Sequence, residues 1–253
     1  MAAHSRVDAA ANLDAIPDGM TCEGVHRAIV EHLLAHRQAL ENKDMLDIPC
    51  GQGDLISTLR HFFPKTRIRG GDLEKPAKLS SDEFSFVDAS RPFRVFPDTS
   101  FDYVFSVSGV MEFDNTLQYF QSCNSHLKER GQLIVTNDNF VAVRDRIFYF
   151  WLGKPKQFQM FVNPNQVTWK ILPIHNLVRI LHDAGFEVRK IEYVSIKPID
   201  WLALPLALLI YPVQSLFISL TRNKMPMPEK RRMYPFRSLL YRHYILYCEK
   251  VSH

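Results

Sequence analysis

Between Asp44 and Asp138 short apolar runs alternate with amphipathic stretches, and few folds are open to a chain patterned in that way. "DMLDIPC" reads as a short apolar strand broken by Pro49 and Gly51, and "LISTLRHFF" follows with helical spacing at Leu55, Leu59 and Phe62. "TRIRGGD" predicts a second strand ending at Asp72 and "FSFVDAS" a third ending near Asp88. "FDYVFSVSG" predicts a fourth, after the turn at Pro97 and Asp98. "LQYFQSCNSHLKERG" predicts a helix closed by Gly131, before a fifth strand "QLIVTND". The segment from Cys22 to Leu40 carries Val25, Ile29, Leu33 and Leu40 on one helical face. Further on come a helix, "IHNLVRILHDAG", and two strands, "FEVRKIEYVSI" and "HYILYCEKV". The order predicts an α/β fold: a doubly wound, mostly parallel sheet with helices on both faces.

In such sheets a ligand sits over the carboxyl ends of the strands, beside the first strand-turn-helix. That turn is "LDIPCGQGDL", where Gly51 and Gly53 let the backbone approach a ligand closely. A lone GxG is common in tight turns, so the weight lies in the series that follows it. Asp72, about twenty residues on, stands where a carboxylate accepts both hydroxyls of a ribose. Asp88 stands where one accepts an amino hydrogen from an adenine. Each alone reads equally as a solvated strand-end aspartate.

Together these motifs resemble class I S-adenosylmethionine-dependent methyltransferases, from about Gly24 to Phe186. The glycine-rich motif is matched by Asp47, Cys50, Gly51 and Gly53, with Pro49 where most members carry its first glycine. Proline fixes one φ and removes an amide donor there. The ribose position is matched by Asp72 with Leu73, the adenine side by Asp88 and Ala89, and the fourth strand and its loop by Ser106 and Val107. The resemblance implies a Rossmann-like, seven-stranded sheet whose last strand is antiparallel, binding S-adenosylmethionine and releasing S-adenosylhomocysteine. A dinucleotide-binding oxidoreductase would need glycine where Ile56 stands.

Methyl transfer from a sulfonium depends on positioning, and a hydroxyl acceptor also needs a base. Candidate bases are Glu112 after the fourth strand, Asp138 after the fifth, and His175 in "ILPIHNL". Glu112 reads equally as a wall of the cofactor site, Asp138 as a turn former, and His175 as a helix start. "TNDNFVAVRDRIFYFWLGKPKQF" and the segment after it resemble a narrower branch that accompanies surface-glycan or lipid-linked saccharide assembly. Many members of that branch carry a histidine near Val162, where this chain has none. The aromatic cluster Phe148, Tyr149, Phe150, Trp151, Phe158 and Phe161 suits stacking on a sugar, embracing an acyl chain, or a lid on the domain's own core.

"WLALPLALLIYPVQSLFISL", Trp201 to Leu220, carries no charge over twenty residues, long enough to span a bilayer. It lies between two strands expected to pair in one sheet, so the chain leaves and returns on one side. Pro205 and Pro212 predict two short helical pieces with a bend. A hairpin dipping into one leaflet, a hydrophobic wall of an acceptor pocket and an oligomer interface all fit. Seven basic residues follow within twenty-one positions (Arg222, Lys224, Lys230, Arg231, Arg232, Arg237 and Arg242), and they favour an anionic membrane face.

The chain thus divides into residues 1–197, a core with an N-terminal helix; 198–237, an apolar and basic insertion; and 238–253, the last strand. Its net charge of +4 does not by itself call for nucleic acid, and none is expected as partner. Four cysteines without a CxxC pair fit a reducing compartment, and no metal-ligand cluster is visible. The first twenty residues lack the apolar stretch of a signal peptide and read as a frayed start. The expectation is a cytoplasmic, peripheral, metal-independent O-methyltransferase with a small-molecule or lipid-linked saccharide acceptor. A quinone or phenol methyltransferase and a non-catalytic scaffold are the alternatives.

Overall fold

The structure is a computed structural model and describes residues 13–36, 40–156, 170–222 and 225–251. Seven strands form one sheet: β1 (Asp44–Asp47), β2 (Arg67–Asp72), β3 (Phe84–Phe86), β4 (Phe101–Ser106), β5 (Leu127–Asp138), β6 (Phe186–Val194) and β7 (His243–Lys250). They lie in the order β3-β2-β1-β4-β5-β7-β6, and β7 alone runs against its neighbours, inserted between β5 and β6. The strand order reverses between β1 and β4, so a crevice opens above the carboxyl ends of those two strands. Met45, Leu46, Val104, Phe105, Leu133, Ile134 and Leu246 are fully buried, as strands covered on both faces require.

Helices α1 (Val25–Leu34) and α2 (Asp54–Phe62) cover one face, packing Val25, Ile29 and Leu33 with Leu55 and Leu59. Helices α3 (Thr116–His126) and α5 (Ile174–Asp183) cover the other with Tyr119, Phe120, Leu177 and Leu181. Between them comes α4 (Val143–Leu152), and the insertion carries α6 (Leu204–Leu220) and α7 (Met227–Met233). The short edge strand β3 and the bulge in β6 between Val188 and Lys190 blunt the two open edges of the sheet.

Three expectations are corrected. The helix expected to run to Gly131 ends at His126, because Leu127 is buried and pairs with Phe101, which pulls the backbone into β5. The charged residues Lys128, Glu129 and Arg130 bulge out of the ladder, and pairing resumes at Gln132 with Tyr103. The insertion's apolar run is one helix rather than two pieces. Pro205 sits in its first turn, where no amide donor is needed, and Pro212 removes a single internal hydrogen bond. The N-terminal stretch is not frayed throughout: Leu13 and Ile16 pack against the α1–α2 side of the core. Residues 1–12 lie outside the described residues.

Candidate functional site

Above β1, β2 and β4 lies a cavity of about 460 Å3. Its floor is the turn after β1. The Asp72 carboxylate, at the end of β2, accepts hydrogen bonds from the backbone N–H groups of Gly51 (2.7 Å) and Leu73 (2.7 Å), which fixes the turn against the strand. Gly53 caps α2 with φ of 73°, a left-handed conformation that a side chain resists. From the loop after β4 come Val107, Ser108, Gly109 and Glu112. Gly109 accommodates the substituted turn: a Cβ there would lie 2.6 Å from Pro49 Cγ. The Ile48–Pro49 peptide is cis.

Asp47, Pro49, Cys50, Gly51, Asp72, Leu73, Val107 and Glu112 line the cavity together. Gly53 stands behind it as the helix cap, and Ser106 is buried beneath it with its hydroxyl unpartnered. Asp88 lies outside the wall, accepting from Ser90 N–H (3.0 Å) and pairing with Arg91 (3.1 Å), while Ala89 is packed in the core. Asp138 and His175 are elsewhere. Met20, Thr21, His26, Gln52, Asp54, Leu55 and Glu74 complete the wall. Of these, Met20 and Thr21 come from a segment with no strand or helix periodicity, so only a turn signal at Asp18-Gly19 hinted that it folds back. Thr21 Oγ lies 2.6 Å from Ser108 Oγ, which latches that segment to the loop after β4.

The cavity's electrostatics are one-sided. Five carboxylates (Asp47, Asp54, Asp72, Glu74 and Glu112) line it, and among the described residues no lysine or arginine does. Burial, and then Asp72, hold the Asp47 carboxyl well above the usual range. One Asp47 oxygen is buried without a hydrogen-bond partner. Burial raises Glu112 too, again with Asp72 adding to it. A site so built disfavours the pyrophosphate of a dinucleotide and attracts a cationic ligand. A group bearing sulfonium and ammonium charges with a ribose fits these residues: Asp47 has an unpartnered buried oxygen, and Asp72 keeps lone pairs free for hydroxyls.

At the end of β5, Asp138 faces His243, the first residue of β7, with Nδ1 and Oδ1 3.1 Å apart. Cys22 joins them, its Sγ 4.0 Å from the same oxygen. Burial opposes charge on His243, but Asp138 and Cys22 outweigh it and raise its pKa to about 9. The pair ties β5 to β7. The three residues' ligand atoms lie within 4.8 Å of one another, a grouping that separations of 116 and 105 residues hid in the sequence. The ion pair satisfies Asp138 and His243 Nδ1 without a cation.

The insertion stands on the same edge of the sheet, because β6 ends there at Val194 and β7 begins there at His243, opposite Asp138 of β5. Asp200 and Arg242 clamp its base through two hydrogen bonds of 2.6 and 2.9 Å. On α6 only Ala207 is buried, while Leu208, Leu209, Val213, Leu216, Phe217 and Leu220 are exposed. On α4, Tyr149, Phe150 and Trp151 are exposed, so these three do not pack onto the domain's own core. Phe148 lies under the ammonium of Lys156, 5.5 Å away, and Phe158 and Phe161 lie outside the described residues. The basic run is less available than its count suggests. Arg242 is engaged by Asp200, Lys230 is buried, and Arg232 donates to the Arg189 carbonyl (3.1 Å). Among the described residues Arg222, Arg231 and Arg237 stay exposed, and Lys224 lies outside them.

Residues 23–191 match a family described as a methyltransferase domain. No curated protein matches the chain by sequence. Solved structures with the same fold include a Burkholderia thailandensis 1,6-didemethyltoxoflavin-N1-methyltransferase with bound 1,6-didemethyltoxoflavin and S-adenosylhomocysteine. It is 15% identical with a TM-score of 0.54, over 99% of this chain and 89% of that one. Magnesium protoporphyrin IX methyltransferase from Synechocystis PCC 6803, with bound S-adenosylhomocysteine, is 13% identical with a TM-score of 0.53, over 89% and 81%. A SAM-dependent methyltransferase from Archaeoglobus fulgidus is 16% identical with a TM-score of 0.53, over 89% and 94%.

Proposed function

Because the chain belongs to the methyltransferase-domain family, we propose that it methylates a hydroxyl of a lipid-linked saccharide acceptor at the cytosolic face of a membrane. S-adenosylmethionine, when bound, supplies an electrophilic methyl group and is released as S-adenosylhomocysteine. Asp72 receives the ribose hydroxyls, and Asp47 offers its unpartnered buried oxygen to the positive charge. Glu112 accepts the proton of the acceptor hydroxyl as the new carbon–oxygen bond forms. A carboxyl held above its usual range is a stronger base once ionised, and Glu112 reaches the cavity from the loop after β4. Asp138, already engaged by His243, is less suited to that task.

The observation that carries the membrane part is the shared edge. The cofactor cavity opens above β1, β2 and β4, and the exposed apolar helix α6 stands above β5, β7 and β6. An acceptor held by its lipid would approach the cavity from that side, with Arg222, Arg231 and Arg237 beside the helix. A chain that leaves and returns on one edge lies on the membrane rather than across it. The carboxylate-lined cavity favours an enzyme over a cofactor-free scaffold.

The test is transfer of a labelled methyl group from S-adenosylmethionine into the organic extract of membranes. Glu112→Gln is expected to lower kcat about 100-fold or more while cofactor affinity changes only a few-fold. Label recovered only in water-soluble, lipid-free products would reject the lipid-linked acceptor. Wild-type protein that ignores anionic liposomes at low salt would reject the membrane.

A further inference from the structure

A second cavity of about 1110 Å3 opens between α5, α6 and α7, apart from the cofactor cavity. One wall is the α6 stripe Leu209, Val213 and Phe217, spaced four residues apart and about 70% exposed. The opposite wall is formed by Met225, Met233 and Tyr234. Three cations line it. Arg179 is neutralised by Asp183 (2.9 Å), and Lys230 donates to the Thr221 carbonyl at the end of α6 (2.8 Å).

Arg146, from α4, is different. It is half-buried, and among the described residues no carboxylate lies within ion-pair distance of it. Its Nε donates to the Val141 carbonyl (2.8 Å) and one Nη to the Gln214 side-chain oxygen. Burial lowers its pKa, so its charge costs free energy until an anion arrives. The amide nitrogen of Gln214 is buried beside it without a partner. Tyr234 lines the same cavity, its hydroxyl 3.1 Å from His175 Nδ1. A cation with no carboxylate partner among the described residues and an idle amide donor thus stand beside the apolar stripe of α6. Their chemistry matches an anionic head on an alkyl chain.

We propose that this groove binds one lipid phosphate, with the phosphate at Arg146 and Gln214 and the chain along Leu209, Val213 and Phe217. The choice of a lipid over free phosphate rests on the membrane-facing reading above and on the apolar walls. His175 and Tyr234 then belong to this head-group site rather than to methyl transfer.

The experiment is calorimetric titration of the full chain with dodecyl phosphate below its micelle concentration, with S-adenosylhomocysteine titrated into the same samples as a control for folding. Saturable binding is expected, weakened about tenfold or more by Arg146→Met. Val213→Trp, which fills the trough, should abolish it. Inorganic phosphate and the uncharged dodecyl maltoside should each bind at least about tenfold more weakly than dodecyl phosphate. No saturable binding, equal binding of inorganic phosphate, or undiminished binding by Val213→Trp overturns the groove. If any of these occurs while the protein still methylates lipid-linked acceptors, the proposed function survives without it. If dodecyl phosphate binds as expected but no lipid is methylated, the groove stands and the acceptor assignment falls.

Discussion

Above β1, β2 and β4, five carboxylates face a cavity whose described wall holds no lysine or arginine, while a few strands away the insertion raises an apolar helix with arginines around it. The first region draws its shape from short loops locked to strand ends by backbone hydrogen bonds, as Asp72 locks the turn at Gly51. The second is clamped at its base by Asp200 and Arg242, and α6 leaves most of its large apolar side chains exposed. One is preorganised for a cation and the other has apolar area left to bury. The difference agrees with cofactor recognition on the sheet and, under the proposed function, with acceptor recognition at the insertion.

That division breaks most sharply at Asp72. Asp72→Ala removes two backbone anchors and the hydroxyl acceptors together, so S-adenosylhomocysteine affinity should fall about 100-fold or more by calorimetry. Binding of anionic liposomes should be unchanged. A mutant losing both would show that the two regions are one unit.

His243 sits at the seam between them. Its folded pKa of about 9 exceeds the unfolded value of 6.5, so its contribution to stability is fully present below about pH 6.5 and lost as pH rises through 9. Denaturation of the wild type should show stability falling over that window. His243→Ala should cost about 3 kcal/mol at neutral pH and flatten the slope. An unchanged slope would mean that Asp138 and His243 do not tie β5 to β7 as an ion pair.

Gly109→Ala drives a Cβ into Pro49 and should cost about 1–3 kcal/mol, with weaker cofactor binding. Pro49→Gly in the same chain should restore most of it, and a failure to rescue would separate the two positions. The smallest effect on folding belongs to α6. Leu216→Glu with Leu220→Glu alters exposed positions that do not line the groove, so stability should move by less than about 0.5 kcal/mol per substitution. Liposome sedimentation should nevertheless weaken about tenfold or more, because apolar area no longer enters the interface. Unchanged sedimentation would assign the exposed leucines to another partner.

Much of this was legible in the residues. Short apolar runs and helical spacing gave the strand and helix order, and the glycine turn with Asp72 marked the edge of the sheet where the cavity opens. The misreadings share one physical cause: local pattern gave way to tertiary packing. The charged stretch from Lys128 to Arg130 looks like the exposed face of a helix until Leu127 finds Phe101 across the sheet. Pro212 looks like a break until a helix forms with one hydrogen bond fewer. Cys22, Asp138 and His243 could not be joined from sequence, nor could Met20 and Thr21 be placed on the cavity wall, since neither grouping has a period or spacing.

By itself the sequence determined the α/β alternation, the family's cofactor turn and the uncharged run of the insertion, because backbone geometry and hydrophobic period act over neighbouring residues. Only the tertiary structure decided which carboxylates converge on one cavity, that Asp138 is held by His243, that α6 stays largely exposed, and that among the described residues Arg146 has no carboxylate partner beside an apolar trough. Those properties depend on which distant side chains meet and on how much water their meeting excludes, and neither is written in local order.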